Sequence, residues 1–465
     1  MHLKAKKTNN EKDNYDHDHG CSVEQLRSIQ KLRTPADIQT DGLYRSDNTQ
    51  SGDSLGLASF AWREIFTDPQ LQTLIERGLA QNTNLRSAQL QIEQSEASLK
   101  AAKWAYIPSL AFAPQGSLAG VDWGKATQTY TIPVSASWQI DIFGSLHNAK
   151  KRAQAQLENS QAYKQAVQSQ LIAAIANYYY SLAMLKDQLA ISQETEKLWK
   201  ENVETTRALM NAGQSNMAAV SQTEANYYSI CTQITDLKQQ ISDLENEFSA
   251  LLGEAPQKYA IGSMNNWKVP ARMSAGIPAA ALANRPDVKQ AETQLAVAYY
   301  ATNESRAAFY PGLNLSGAIG WTNDLGTLPV NPGKWIWNAM ASLTQPIFQN
   351  GKLRAQYKIS KAQQEQAKLS FQQTLLDAGT EVNAALTKIQ ATGEKDGLYT
   401  KQIASLETAV KSTQALMMNS STNYLQVLTA QQTLLTAQMS QISNKFSQIQ
   451  AAIELYQALG GGYDE

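Results

Sequence analysis

The chain has 465 residues, and its 40 basic and 41 acidic side chains leave a net charge of -1. This balance gives no overall basic excess that would indicate binding to nucleic acid. The two cysteines and four histidines are too few and too scattered for a disulfide framework, a zinc cluster or histidine-based catalysis, so we expect no cofactor and no metal. Polar character comes instead from uncharged side chains, including 48 glutamines, which suits long helices with mildly polar faces.

The N-terminal region predicts little regular structure. Residues 1–20 start basic and then lack the apolar run of a secretory signal, so they are interpreted as a leader-like or tag-like disordered segment. Cys21, between a glycine and a serine, has the local pattern of a bacterial lipoprotein junction and is the candidate lipid attachment site, although its acylation stays open. Residues 21–67 are predicted to be an extended segment.

An internal repeat organises the rest of the chain. Residues 79–108 align without a gap with residues 282–311, and a second aligned block pairs Gly144 with Gly351. Each copy predicts a helix, a β-hairpin and a long helical hairpin. The predicted boundaries are 68–260 for the first repeat (strands about 109–143, helical hairpin about 145–253), 261–281 for a linker, and 282–465 for the second repeat (strands about 312–348, helical hairpin about 352–460).

The first helix of each repeat has recognisable ends. One is predicted to begin at Asn82 and the other at Asn284, where Pro286 suits the first turn and Asp287 favours the positive end of the helix dipole. Both helices are predicted to stop before a proline, at Pro108 and at Pro311.

After those prolines the hydrophobic period changes to two. Between Tyr130 and Ile142 the even positions are apolar or aromatic and the odd positions are mostly polar, and 313–322 alternates in the same way. Segments 110–112 and 335–343 complete four strands with aromatic residues near their ends. Such strands match a transmembrane β-barrel, but a soluble half-buried sheet remains the alternative. Four strands cannot close a barrel, so a membrane location requires two copies (eight strands) or three (twelve).

The remaining segments predict long helices with coiled-coil seams. Apolar residues recur at intervals of three and four over 227–251 and 435–456, and a third such stripe runs over 167–189. Tight reversals are predicted near Gly213 in the first copy and Ser420 in the second.

Six motifs in order on this duplicated frame resemble the outer membrane factors, the TolC-like exit ducts of Gram-negative tripartite efflux pumps, in particular their OprM/CmeC-like lipoprotein branch. Singly each motif is weak, but their order is specific. They are FTDPQL (66–71), WQIDIFG (138–144), NRPDV (284–288), RAAFYP (306–311), PIF followed by GKLR (346–354), and YL, VL and AQ within 424–431.

The resemblance implies a mainly α protein with a membrane β-barrel. Three chains would form a homotrimer with one twelve-stranded barrel in outer membrane lipid and a twelve-helix periplasmic α-barrel. A water-filled helical tunnel needs small and polar inward faces, which agrees with the glutamine content.

The resemblance also implies the site residues. The helix reversals would dock a periplasmic adaptor protein, although turn chemistry explains some of these residues equally well. The family narrows its tunnel nearby with a leucine and with aspartates; Leu425 fits the leucine, but neutral Gln426 and Thr429 occupy the acidic positions, which argues against an anionic, cation-binding gate. The candidate docking tips are Gly213, Gln214, Ser215, Asn216, Ser420, Ser421, Thr422 and Asn423.

The predicted function is a passive conduit without chemistry of its own. Energy would come from an inner membrane pump of the resistance-nodulation-division class, and the cargo would be drugs or other small molecules. A type I protein secretion duct is the alternative within the same architecture. A coiled-coil scaffold would leave the strands unexplained, and an enzyme is disfavoured because phosphate loops, nucleophile elbows and metal-ligand clusters are absent from the sequence.

Overall fold

The computed structural model describes residues 62–120, 124, 126–264, 267–270, 284–323, 333–418 and 424–461. Cys21 therefore lies outside the described residues. Among the described helices, none is both long and apolar enough to span a membrane. The helices are α1 (Trp62–Ile65), α2 (Pro69–Gln81), α3 (Thr83–Trp104), α4 (Ser145–Asn211), α5 (Met217–Leu252), α6 (Pro286–Ala307), α7 (Lys352–Met418) and α8 (Tyr424–Ala458).

The helices begin and end where the local sequence directs. Asp68 caps α2 and Asn82 caps α3, each by accepting hydrogen bonds from backbone N–H groups of the first turn. Pro286 opens α6, and Gly253, with φ +74°, terminates α5 in the left-handed conformation that favours glycine. The helix start predicted at Asn82 is therefore confirmed, and the one predicted at Asn284 lies two residues later, at Pro286.

The strands form one antiparallel sheet. They are β1 (Ser109–Phe112), β2 (Gln115–Ala119), β3 (Thr127–Ile140), β4 (Gly312–Thr322) and β5 (Lys334–Thr344). The spatial order is β1, β3, β4, β5, and β2 also pairs with β3. The central pair, β3 with β4, joins strands from the two sequence repeats.

The first predicted strand, 110–112, corresponds to two segments in the structure. β1 covers the predicted residues, and β2 continues in the same direction after a two-residue interruption. Phe112 pairs with Val134, and Gln115 pairs with Thr131, so β1 and β2 keep a single register along β3. Prolines at 114 and 133 lie at the interruption, and neither has an N–H group to donate to the ladder. The sheet therefore has four positions across and five strand segments.

The register places most apolar residues of the strands on one face, with Ile336 and Met340 of β5 as exceptions on the other. Val134 pairs with Ile319, which pairs with Trp337, and Trp138 pairs with Leu315. The opposite face carries mainly small and polar side chains such as Ser135 and Asn338. The apolar side chains of this face are Leu110, Phe112, Leu118, Tyr130, Ile132, Val134, Ala136, Trp138, Ile140, Leu313, Leu315, Ile319, Trp321, Trp335, Trp337, Ala339, Ala341 and Leu343.

The chain divides into two compact units, and each unit combines residues from both sequence repeats. Residues 108–145 and 307–348, from both copies, form a sheet unit, and the helical residues of both copies form a second unit. In the helical unit the predicted seams are buried, as shown by Leu182 on α4, Phe248 on α5 and Ile453 on α8. The core of this unit joins α1, α2, α4, α5, α7 and α8 with the segment that follows α5.

Two buried polar groups tie helices of this unit together. The Tyr179 hydroxyl donates to Asp68 Oδ2 (2.6 Å) and accepts from the backbone N–H of Gly262 (2.8 Å). Arg285, 4% exposed, donates to Asp287, to Glu381 Oε2 (2.6 Å) and to the backbone oxygen of Ala458. Burial lowers the pKa of the Arg285 guanidinium, but its hydrogen bonds to the two carboxylates raise it by more, so this side chain remains charged.

Candidate functional site

The reversal between α4 and α5 is built by local backbone geometry. The N–H of Gly213 donates to the oxygen of Met210 (3.0 Å) and the N–H of Gln214 to that of Leu209 (2.9 Å), which is a Schellman ending. Gly213 supplies the left-handed residue, with φ +72°. Asn216 then caps α5 by accepting a hydrogen bond from the N–H of Ala219 (2.9 Å).

The four candidate docking residues of this first reversal face outward. Gly213, Gln214 and Asn216 are exposed, and Ser215 is half-buried. A Cβ added at Gly213 would meet no atom within 4 Å. Just behind the reversal, Arg207 on α4 forms an ion pair with Glu224 on α5, which joins the two helices. The turn is thus a small, uncharged, accessible tip on a rigid hairpin.

The second reversal is described only at its borders. Helix α7 ends at Met418 and α8 begins at Tyr424. The candidate docking residues Ser420, Ser421, Thr422 and Asn423 lie outside the described residues, so the structure gives the positions of the first tip alone.

The three candidate gate residues share one exposed surface on the first turns of α8. Leu425 is 57% exposed, and Gln426 and Thr429 are exposed as well. The Thr429 hydroxyl donates to the backbone oxygen of Leu425 (2.9 Å), so its proton is used within the helix and its oxygen remains an acceptor. The gate surface therefore presents one apolar side chain beside neutral polar groups.

No charge lies on the helix that carries the gate until Lys445, because residues 424–444 contain no Asp, Glu, Lys or Arg. A ring made by this segment would consequently be neutral. Among the described residues, no three His, Cys, Asp or Glu side chains come close enough together to form a metal site.

A buried apolar cluster packs behind the candidate gate residues. Val427 and Leu428, which flank the exposed gate residues in sequence, are buried. Leu428 belongs to a cluster with Trp199 of α4, Ile230 and Ile234 of α5. Trp199 was not predicted as a core residue from the sequence. It could have been, because it is the lone tryptophan in an otherwise highly polar segment, QETEKLWKENVE at 193–204.

Comparison with known proteins gives a consistent result. The family model described as outer membrane efflux protein matches residues 74–254 and 277–461. The cation efflux system protein CusC of Escherichia coli strain K12 is 27% identical over 95% of this chain and 96% of its own length. The probable outer membrane lipoprotein SilC of Salmonella typhimurium is 27% identical over 87% of this chain and 88% of its own length.

The fold is also shared with solved structures. The open-state MtrE outer membrane channel of Neisseria gonorrhoeae superposes with a TM-score of 0.82, covering 93% of this chain and 98% of that one at 24% identity. At that identity the superposition shows the fold. Together with the family match over both repeats, these similarities establish that the chain belongs to the outer membrane efflux protein family, whose members are channels of the Gram-negative outer membrane and not enzymes.

Proposed function

We propose that this chain is the outer membrane exit duct of a tripartite efflux pump. It conducts small molecules passively to the exterior from an inner membrane pump of the resistance-nodulation-division class, through a periplasmic adaptor protein. The observation that supports this function best is the sheet register, which assembles one continuous apolar face from strands of both repeats. A face of this kind, whose three uninterrupted strands have 11 to 14 residues, suits contact with lipid.

The sheet also supports a closed homo-oligomer, which we propose is a trimer. In the described chain, β1 and β2 form one outer edge and β5 forms the other. Lipid does not tolerate an open edge, because its N–H and C=O groups would lack partners. Three copies of this four-position sheet would close a twelve-stranded barrel, and the long helices of the same three chains would line a tunnel.

The lack of charge on the proposed gate surface indicates what kind of cargo the duct carries. CusC is named for cation efflux. In this chain the absence of charge over residues 424–444 leaves the proposed ring of Leu425, Gln426 and Thr429 without a negative charge to attract cations. We therefore assign drugs and other uncharged or weakly charged small molecules as the cargo. The proposed adaptor contacts are the two reversal tips, and the proposed lipid anchor is Cys21.

Electron microscopy of the detergent-extracted protein is the first test of this function. A threefold hollow cylinder with a long helical end is expected. A thin solid rod or a compact particle would contradict both the trimer and the duct.

A gate variant tests the constriction. Leu425→Ala should raise ion conductance across a planar bilayer several-fold, because it removes the largest apolar side chain of the proposed ring. The matched control is Leu398→Ala, which truncates an exposed leucine of α7 and should leave conductance unchanged. Equal conductance in the two variants would place the constriction elsewhere.

A tip variant tests the docking surface. Gln214→Arg adds a large cation to the exposed first tip and should abolish drug resistance in cells while membrane insertion is retained. Gln193→Arg makes the same change on an exposed position of α4 and should keep resistance. Ser421→Arg extends the test to the second tip. Resistance that survives both tip variants would mean that the adaptor binds another surface.

A further inference from the structure

Four helix ends lie together at one end of the helical unit. These are the last turns of α3 and α6 and the first turns of α4 and α7. Lys150 Nζ lies 5.8 Å from the centre of the Tyr106 ring, which joins α4 to the end of α3. Arg152 pairs with Glu304 (3.0 Å), which joins α4 to α6. The Thr302 hydroxyl donates to the backbone oxygen of Ser360 (3.0 Å), which joins α6 to α7.

This end of the unit is strongly basic. Within residues 100–107, 145–155, 300–307 and 349–361, Glu304 is the only acidic residue. The chain as a whole is balanced, with 40 basic and 41 acidic residues, so the excess is local. We call the basic residues of these windows the basic collar. They are Lys100, Lys103, Lys150, Lys151, Arg152, Arg306, Lys352, Arg354, Lys358 and Lys361.

Neither internal pairing nor helix stability explains the collar. Lys150 and Lys151 are half-buried and the other collar residues are exposed. Within the part of the chain that the structure describes, Arg152 is the collar residue that pairs with a carboxylate. Helix α7 even begins with Lys352 and Arg354 and has no acidic residue in its first turn, where the helix dipole favours negative charge.

Exposed apolar side chains accompany the charges. On the last turn of α3 and just beyond it, Trp104 is 62% exposed and Ile107 is 57% exposed, directly after Lys103. Aromatic residues next to lysine and arginine are typical of the boundary between lipid tails and headgroups, where the ring enters the boundary and the cation reaches the phosphates.

Chain connectivity indicates which anion is available. Each of these helix ends continues into a strand of the sheet within a few residues: α3 ends at Trp104 and β1 begins at Ser109, while β3 ends at Ile140 and α4 begins at Ser145. We propose that the basic collar binds the phosphate headgroups of anionic phospholipids in the periplasmic leaflet of the membrane that holds the sheet. This inference rests on the proposed function, because it requires the sheet to lie in that membrane.

The test compares two triple variants of the same helix. Lys352→Gln, Lys358→Gln and Lys361→Gln together remove three exposed charges from the collar. Lys395→Gln, Lys401→Gln and Lys411→Gln together remove three exposed lysines from the distal half of α7. Both purified full-length variants are titrated with phosphatidylglycerol and, separately, with phosphatidylcholine in detergent, and bound lipid is counted by native mass spectrometry.

The collar variant should bind phosphatidylglycerol at least roughly tenfold more weakly than the wild-type protein, because each basic residue near an anionic lipid surface contributes to binding. The distal variant should bind it normally, and phosphatidylcholine should not distinguish the proteins. Replacement of the same three collar lysines by arginine should restore the affinity, which separates charge from any change in folding.

Three results would overturn the inference. The first is equal phosphatidylglycerol binding by the collar and distal variants. The second is displacement of phosphatidylglycerol by inorganic phosphate at the same molar concentration as the lipid. That result would mean that the collar binds free phosphate. The third is altered ion selectivity of the channel with unchanged lipid affinity, which would place these lysines along the water path. A wild-type protein that neither inserts nor conducts would instead contradict the proposed function.

Discussion

The sheet unit exposes large apolar side chains, whereas the core of the helical unit buries them. In the sheet, Trp337 is 81% exposed and Leu110 is 75% exposed, and both lie on the continuous apolar face. In the helical unit, Trp199 is 1% exposed and Phe248 is fully buried. Both units follow a regular apolar period, so the period alone does not decide what covers an apolar stripe.

The difference lies in where the covering surface comes from. The long helices of one chain bury their seams against one another, so this apolar surface leaves water when a single chain folds. Within the described part of the sheet unit, nothing comparable covers the apolar face. Under the proposed function, lipid and neighbouring copies would cover it, so the two units should respond differently to substitution.

The largest effect is expected in the helical core. Trp199→Ala would leave a cavity beside Ile230, Ile234 and Leu428 and should lower the free energy of unfolding by about 3–5 kcal/mol. Leu198→Ala alters the neighbouring residue, which is 49% exposed, and should have a much smaller effect. Thermal unfolding followed by circular dichroism measures both. Similar losses would mean that burial within one chain does not govern this unit.

A comparable substitution in the sheet should act on membrane insertion. Val134→Lys puts a charge on the apolar face beside Phe112 and Ile319, at a cost of about 2–4 kcal/mol for each chain if this face meets lipid. Ser135→Lys, one residue later, puts the same charge on the opposite face and should be tolerated. Recovery of each variant in the outer membrane fraction compares them. If Ser135→Lys were the more damaging change, the orientation of the faces would be reversed.

Much of this contrast could be predicted from local sequence. The alternation over 130–142 identified β3 and its apolar face, and the residues at Asn82 and Pro286 located helix starts, because strand faces and helix caps depend on near neighbours. The interruption between β1 and β2 was missed, because the effect of two prolines depends on their meeting across a strand pair.

The candidate functional site was also only partly predictable from local sequence. Leu425, Gln426 and Thr429 were identified by resemblance to a family motif, and their exposure on α8 follows from helical spacing. The cluster around Trp199 could not be predicted, because it requires α4, α5 and α8 to converge behind the candidate gate residues. The basic collar likewise combines four segments that are far apart in sequence, so no single window displays its charge.

A smaller effect on the free energy of unfolding is expected from the loss of one buried hydroxyl group in the helical unit. Tyr179→Phe leaves Asp68 Oδ2 and the N–H of Gly262 without the buried hydroxyl that joins them, and should lower the free energy of unfolding by about 1–2 kcal/mol. Tyr456→Phe is the matched control, because the Tyr456 hydroxyl is buried without a hydrogen-bond partner among the described residues. Its removal should be neutral or slightly stabilising.

The pH dependence supplies a second measurement on the same pair. Burial, and for Tyr179 also the hydrogen bond to Asp68, raises the pKa of both phenols above the ordinary value of about 10. A raised pKa in the folded chain gives a contribution to stability that is complete below pH 10 and is lost as the pH rises further, when the phenols of the unfolded chain ionise. Each Phe variant should therefore lose less stability than the wild-type protein between neutral and strongly alkaline pH. If both variants followed the wild-type curve, buried phenols would not contribute to the alkaline stability of the helical unit.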